Sequence, residues 1–278
     1  MCLIAFAIGA SERWPLIVAS NRDEFLDRPT LPLARWPTAS GQEIISGRDM
    51  RAGGTWLGMT PAGRIAFLTN VREAHMPAAP NSRGDLVTRW LESTEEAESF
   101  ASTLAHSSGD YGGFNLVLGD FEKKAWTWVT NRSAKTPFSL DIQHLEPGIY
   151  GLSNAALDTP WPKSVALKQV LSSALRLEAD GVTTQDALQA SLWNALADAR
   201  RGAVEDLPAT GVSAVVEEAL SSAFVAFPEQ AYGTRSSTLL LAALNSRGDG
   251  HDLLISEKTY SASSAGKAHQ PVAVSFQL

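Results

Sequence analysis

The sequence predicts an α+β protein in which antiparallel sheets carry helices on their outer sides. Short apolar runs bounded by turn residues come in neighbouring pairs, as hairpins do, at 3–9 with 14–20, 55–60 with 64–70 and 114–120 with 125–129. Helical patterns cluster between these strands rather than alternating with each of them, which argues against a doubly wound parallel sheet. No low-complexity stretch divides the 278 residues, so the whole chain, 1–278, reads as a single domain.

Composition bounds the function classes. A hydrophobic share of 44% suits a packed core. The formal net charge is -7 with no basic cluster, which speaks against a nucleic-acid partner and bears on solubility instead. No apolar run approaches the ~20 residues of a membrane span, so stable membrane insertion is not expected. The first apolar run lacks a basic leader and the length of a signal peptide, which makes a cytoplasmic location the expectation. A single cysteine excludes an internal disulfide. His75, His106, His144, His251 and His269 lie far apart and never in ligand spacing, so no metal is assigned. The chain has neither a glycine-rich phosphate loop nor a GxSxG elbow. Arg83-Gly84-Asp85, Arg247-Gly248-Asp249 and the sequon Asn131-Arg132-Ser133 read as coincidences.

Met1-Cys2 precedes the run Leu3-Ile4-Ala5-Phe6-Ala7-Ile8-Gly9, which is too short and too uniformly apolar for an amphipathic helix and reads as a buried strand. A small side chain at position 2 permits removal of Met1, after which Cys2 would carry both a thiol and a free α-amine. That amine titrates near ~8 and can take the thiol proton near neutral pH. Taken alone, Cys2 reads rather as a small apolar residue opening a core strand. Ser11-Glu12-Arg13 then turns the chain into the strand at 14–20, which ends in the polar cluster Asn21-Arg22-Asp23-Glu24. Hairpin pairing would bring this cluster beside Cys2, at the rim of a sheet; a solvated turn is the plainer reading.

The proline-rich segment 27–37 reads as an extended loop. Ser46-Gly47-Arg48-Asp49 and Ala52-Gly53-Gly54 lead into the strand at 55–60, and the paired glycines suit either a turn or a close backbone approach. Ser82-Arg83-Gly84-Asp85 can cap a helix through Leu86, Val87, Trp90 and Leu91, with 95–104 helical after it. Gly112-Gly113 opens the strand at 114–120, and Gly148 to Asn154 makes a short strand with a polar end. Pro160-Trp161-Pro162-Lys163 introduces a helix through Val165, Leu167, Val170, Leu171 and Leu175; 183–200 and 212–222 are helical too. Strands return at 224–227, 234–244, 253–257 and 272–276.

Met1-Cys2, Asn21-Arg22-Asp23-Glu24, Asp27-Arg28-Pro29-Thr30, Gly47-Arg48-Asp49, Gly53-Gly54-Thr55-Trp56-Leu57-Gly58, Leu68-Thr69-Asn70, Ser82-Arg83-Gly84, Gly151-Leu152-Ser153-Asn154, Pro160-Trp161-Pro162-Lys163 and Tyr232-Gly233-Thr234-Arg235 follow one another in consistent order. In this the chain resembles the NRDE family, which includes the transport and Golgi organisation protein 2 homologues. The resemblance implies the N-terminal nucleophile hydrolase fold, a four-layer αββα sandwich of two antiparallel sheets flanked by helices. It also implies a likeness to the cysteine branch of that fold, the bile salt hydrolases and penicillin V acylases. Cys2 falls where their nucleophile falls, Asp23 where an aspartate holds the α-amine, Asn70 where an asparagine supplies an oxyanion donor, Asn154 at their second catalytic asparagine and Arg235 at the arginine near the thiolate. Asn21, Arg22, Trp56 and Arg72 would contact substrate. The chain departs at Ser20, where those hydrolases carry an arginine three residues before the aspartate; here the arginine is Arg22, displaced by two.

The resemblance leaves two functions open. As an enzyme, the protein would hydrolyse an acyl amide or thioester of a small molecule without a cofactor. As a binding protein on the same fold it would carry haem, or an acyl lipid or coenzyme A, with Trp36, Trp56 and Trp161 lining a hydrophobic groove. Arg22, Arg48 and Arg72 would suit a carboxylate or phosphate in either case, or simply ion pairs of the fold.

Overall fold

The computed structural model describes residues 2–74, 79–132, 139–182, 184–245, 247, 250–260 and 270–278, with the Cys2 side chain left out. His75, Ser133, Gly248, Asp249 and His269, named above, lie outside the described residues, as does Met1. The chain opens with β1 (Cys2–Ile8) and β2 (Leu16–Phe25), then β3 (Thr30–Pro37), β4 (Glu43–Asp49), β5 (Leu57–Met59) and β6 (Arg64–Asn70). Two helices follow, α1 (Gly84–Glu92) and α2 (Ala97–Ala105), before β7 (Phe114–Asp120), β8 (Ala125–Thr130), β9 (Asp141–His144) and β10 (Gly148–Leu152). Next come α3 (Pro162–Ala179), α4 (Gln185–Leu196) and α5 (Ala214–Ala219), then β11 (Ala226–Phe227), β12 (Tyr232–Leu244), β13 (His251–Thr259) and β14 (Val272–Gln277).

These elements form two compact units, neither of them a continuous stretch of sequence. One comprises 1–27, 147–153 and 157–277; the other comprises 28–146, 154–156 and Leu278. The sheet of the first runs β10-β1-β2-β12-β13-β14, with β11 paired to β12. On it, Leu3, Ala5, Ala7, Ile17, Ala19, Leu239 and Leu241 pack against Leu167, Leu171 and Leu175 of α3 and Leu188, Leu192 and Leu196 of α4. The alternate residues Ile4, Phe6 and Val18 are buried too. Burial on both faces is why the first strand reads as a continuous apolar run rather than an alternating one.

The second sheet runs β3-β4-β5-β6-β7-β8-β9, every pairing antiparallel. Ile44, Ala66, Leu68, Leu116, Leu118 and Val129 pack against Leu86, Val87, Trp90 and Leu91 of α1 and Phe100, Ala101 and Leu104 of α2. Gly54 has no room for a side chain, since a Cβ there would lie 2.6 Å from the carbonyl of Gly84 at the start of α1. The glycine pair is therefore a close approach of backbone as well as a turn, with Gly53 at φ +82°. Gly47 is bare for a similar reason: the Trp56 ring lies 2.4 Å from where its Cβ would be.

Two expectations are corrected. Asn21 to Glu24 do not form a turn but continue β2, because β12 pairs with that strand as far as Phe25. The segment from Thr30 to Pro37 is not a loop but an edge strand with a register shift between Leu31 and Ala34. Proline is tolerated at such an edge, where its missing N–H leaves no ladder bond unmade. No described helix is long and apolar enough to cross a membrane.

The Gly54 contact predicts that Gly54→Ala destabilises the protein by about 1–3 kcal/mol, the usual cost of forcing atoms into filled space. Urea unfolding monitored by tryptophan fluorescence would measure it. Gly109→Ala serves as the reference, a glycine with nothing within 4 Å of the added Cβ and a φ outside the left-handed region.

Candidate functional site

In the first unit β2 is the central strand of the site. Its register with β1 sets Cys2 opposite Arg22 and Leu3 opposite Asn21. On its other side, β12 sets Ser237 opposite Asn21, Ser236 opposite Arg22 and Thr234 opposite Asp23. Two residues of β12 are thus spent against one of β2, and Arg235 is the extra residue of a β-bulge. Such a bulge re-aims a side chain: without it Arg235 itself would oppose Asp23.

The bulge lets β12 hold Asp23 at two points. The Thr234 hydroxyl donates to Asp23 Oδ1 at 2.7 Å, and the Tyr232 hydroxyl donates to the Asp23 carbonyl at 2.8 Å. Asp23 is 1% exposed and Thr234 4%. Thr234 is itself fixed, its backbone N–H donating to the Val225 carbonyl and its hydroxyl accepting from the Val225 N–H, both at 2.9 Å. Arg235 turns its guanidinium to the chain that follows Asp23, donating to the carbonyls of Phe25 at 2.9 Å and Leu26 at 3.0 Å. Burial and then the neighbouring Arg22 work against its charge and lower its pKa from the ordinary arginine value; Glu24 and Asp27 oppose that shift. Arg22 is 5% exposed and lies 3.6 Å from a Glu24 carboxylate oxygen.

Asn21 was expected at the substrate and is instead an anchor of the sheet. It is fully buried, its amide donates to the carbonyls of Leu196 and Ala223 at 2.8 Å each, and its side-chain oxygen accepts from Ser237 at 2.6 Å. Position in the strand decides this. Asn21 shares the face of Leu3 and Ala19, which is the face the helices cover.

In the second unit, Asn70 ends β6, and its carbonyl accepts from the Asn154 side chain at 2.8 Å. The Asn154 carbonyl in turn accepts from the Arg72 N–H at 2.8 Å. Asn154 is fully buried and Arg72 is 8% exposed. Among the described residues the Asn70 side-chain amide makes no hydrogen bond, and it is partly exposed. Asn115 of β7, which did not stand out in the sequence, supports this group. Its amide donates to Thr69 Oγ1 at 3.1 Å and to the Ala155 carbonyl at 2.7 Å, while its oxygen accepts from Trp128 Nε1 at 3.2 Å. Trp56 is buried on Gly47, and Arg48 lies over the Trp36 ring at 4.4 Å, so both belong to the packing of this unit.

The sequence-derived positions thus fall into two groups. Cys2, Asn21, Arg22, Asp23 and Arg235 are brought together on three adjacent strands, while Asn70, Arg72 and Asn154 share one set of hydrogen bonds and the Trp56 ring packs on Gly47. Because the Asn21 amide satisfies two buried carbonyls, Asn21→Ala is expected to lower folding stability by about 1–3 kcal/mol in denaturant unfolding. A variant that unfolds at the wild-type midpoint would return Asn21 to a role in ligand contact.

The family model for Transport and Golgi organisation 2 matches residues 1–261. The chain is 33% identical over 268 residues to the Transport and Golgi organization protein 2 homolog of Bos taurus, with 90% of each chain covered. It is 33% identical over 265 residues to the Homo sapiens homolog, again with 90% of each covered. Among solved structures, the C2A mutant of the conjugated bile acid hydrolase from Clostridium perfringens matches 99% of this chain and 92% of that one at a TM-score of 0.53. Sequence identity there is 9%, so the likeness is one of fold. Two antiparallel sheets with helices, in an α+β arrangement like that of an N-terminal nucleophile hydrolase, are what the sequence predicts. The order of motifs, the match of residues 1–261 to the family model and one-third identity to its members together place this chain in the Transport and Golgi organisation 2 family.

Proposed function

We propose that the protein is a cysteine hydrolase that cleaves an acyl amide or thioester of a small molecule, with Cys2 as nucleophile once Met1 is removed. The observation that carries this reading is the three-strand register. It sets the chain's one cysteine opposite Arg22, with a buried, doubly gripped Asp23 one residue further on. A shared fold with a conjugated bile acid hydrolase, solved as its own C2A mutant, adds support.

In the proposed reaction the α-amine of Cys2 takes the thiol proton, and Asp23 orients the resulting ammonium. The thiolate attacks the acyl carbon, the carbon–sulfur bond forms, and the leaving amine or thiol departs with the proton from the ammonium. Water, deprotonated by the same amine, then attacks the thioester; the carbon–sulfur bond breaks, the acid is released and the thiol is restored. Arg235 supplies positive charge on the side of Asp23, which favours a thiolate over a thiol. By the resemblance Asn70, whose side-chain amide makes no hydrogen bond among the described residues, is the proposed donor to the oxyanion, and Asn154 is proposed to hold it in place through the Asn70 carbonyl.

With a single cysteine every adduct reports Cys2. In protein whose intact mass lacks Met1, the rate of alkylation by iodoacetamide should reach its plateau well below the pH of ~8.5 at which an ordinary thiol titrates. An ordinary profile would overturn the reading and leave ligand binding as the function to pursue. Alkylation forms no oxyanion, whereas acylation by p-nitrophenyl acetate does. Asn70→Ala should therefore slow acylation by about 10²-fold or more while leaving alkylation as it was. Equal loss of both would remove Asn70 from the oxyanion.

A further inference from the structure

The geometry points to Thr234 as a positioning residue for the nucleophile, acting through Asp23. This inference rests on the cysteine-hydrolase reading and assigns the residue that makes Asp23 competent in it. In the antiparallel register Cys2 opposes Arg22, and Asp23 follows Arg22 along β2, beyond the N-terminal end of β1. That is the side of the strand from which the Cys2 α-nitrogen projects after Met1 is removed. A carboxylate there can orient the amine only if its own rotation is fixed.

Thr234 fixes it with a hydroxyl that has no second use. Its one proton goes to Asp23 Oδ1 at 2.7 Å and it accepts the Val225 N–H at 2.9 Å, which sets the direction of the rotor. Thr234 reaches Asp23 only because the bulge inserts Arg235 between it and Ser236. The neighbouring residues of the segment reinforce the placement. A Cβ on Gly233 would lie 2.9 Å from the Val225 carbonyl, so this strand approaches Val225 as closely as a bare backbone allows. Tyr232 holds the Asp23 carbonyl, and Arg235 holds the carbonyls of Phe25 and Leu26. Oδ1 of the aspartate thus has a fixed donor and its backbone a second one.

The test uses iodoacetamide alkylation of full-length protein lacking Met1, with wild type, Thr234→Val, Thr234→Ser, Asp23→Asn and the double variant Asp23→Asn/Thr234→Val compared at pH 7. Thr234→Val is expected to slow alkylation about tenfold or more, the scale of one charge-assisted hydrogen bond, and Thr234→Ser to restore most of the rate. The double variant should be no slower than Asp23→Asn alone, because a residue that works through Asp23 has nothing left to position. Thermal unfolding of each variant identifies any that fail to fold, and Thr234→Ser, which keeps the hydroxyl, decides the matter if Thr234→Val is one of them. A Thr234→Val rate equal to wild type, losses that multiply in the double variant, or a serine variant as slow as valine would each overturn the inference. A wild-type rate no faster than that of a free cysteine would overturn the cysteine-hydrolase reading, and with it the role of Thr234; that outcome is read from wild type alone.

Discussion

One extra residue in β12 decides which side chain meets Asp23 in the first unit. An antiparallel ladder in perfect register would set Arg235 against Asp23 and Thr234 against Glu24. The bulge shifts the register by one, and since side chains alternate between faces, that shift exchanges which residue meets the aspartate. A guanidinium opposite Asp23 would pair with the carboxylate and hold it for itself. A threonine hydroxyl donates one hydrogen bond and brings no charge of its own. The displaced arginine then braces the backbone after Asp23 instead of neutralising it.

The second unit solves a related problem with amides. Buried polar groups are costly unless each finds a partner, so the buried Asn154 and the backbone carbonyl after it need dedicated donors and acceptors. Asn154 uses its side chain on the Asn70 carbonyl and its carbonyl on Arg72, while Asn115 takes the Ala155 carbonyl and is itself oriented by Trp128 and Thr69. Asparagine suits this task because one side chain carries two donors and an acceptor without charge. The consequence for Asn70 is a fixed backbone beneath a side-chain amide that stays uncommitted among the described residues.

The strands were legible in the sequence because burial on both faces or on one leaves a periodic apolar signal, and the pairing of β1 with β2 followed from the short turn between them. The extent of β2 was not legible. Asn21 to Glu24 look like a turn to any local rule; β1 pairs with Asn21 and Arg22, and pairing with β12, more than two hundred residues later, carries the strand on through Asp23 and Glu24. Such long-range pairing has no local signature. The edge strand from Thr30 to Pro37 was hidden by its prolines for a similar reason, since position in the sheet decides whether a missing N–H matters. The two units were invisible as well: each is assembled from separated segments, so no linker marks a boundary. Among the site positions, motif order led to Asp23 and Arg235, but only the register reveals that Thr234 is the residue that joins them.

The displaced arginine of the motif yields to the same parity argument. The cysteine hydrolases that the chain resembles carry an arginine where this chain has Ser20, and its own arginine is two residues on, at Arg22. A move of one residue along a strand would have carried the charge to the opposite face; a move of two keeps it on the same face and slides it roughly 6.6 Å along the strand. In the register of β1 that slide is toward the first residues, from opposite Ile4 to opposite Cys2. The face itself stays polar along the neighbouring strand, with Ser236 opposite Arg22 and Thr238 opposite Ser20, both buried. The positive charge of Arg22 therefore lies on the face of Ser20, at the register position of the cysteine.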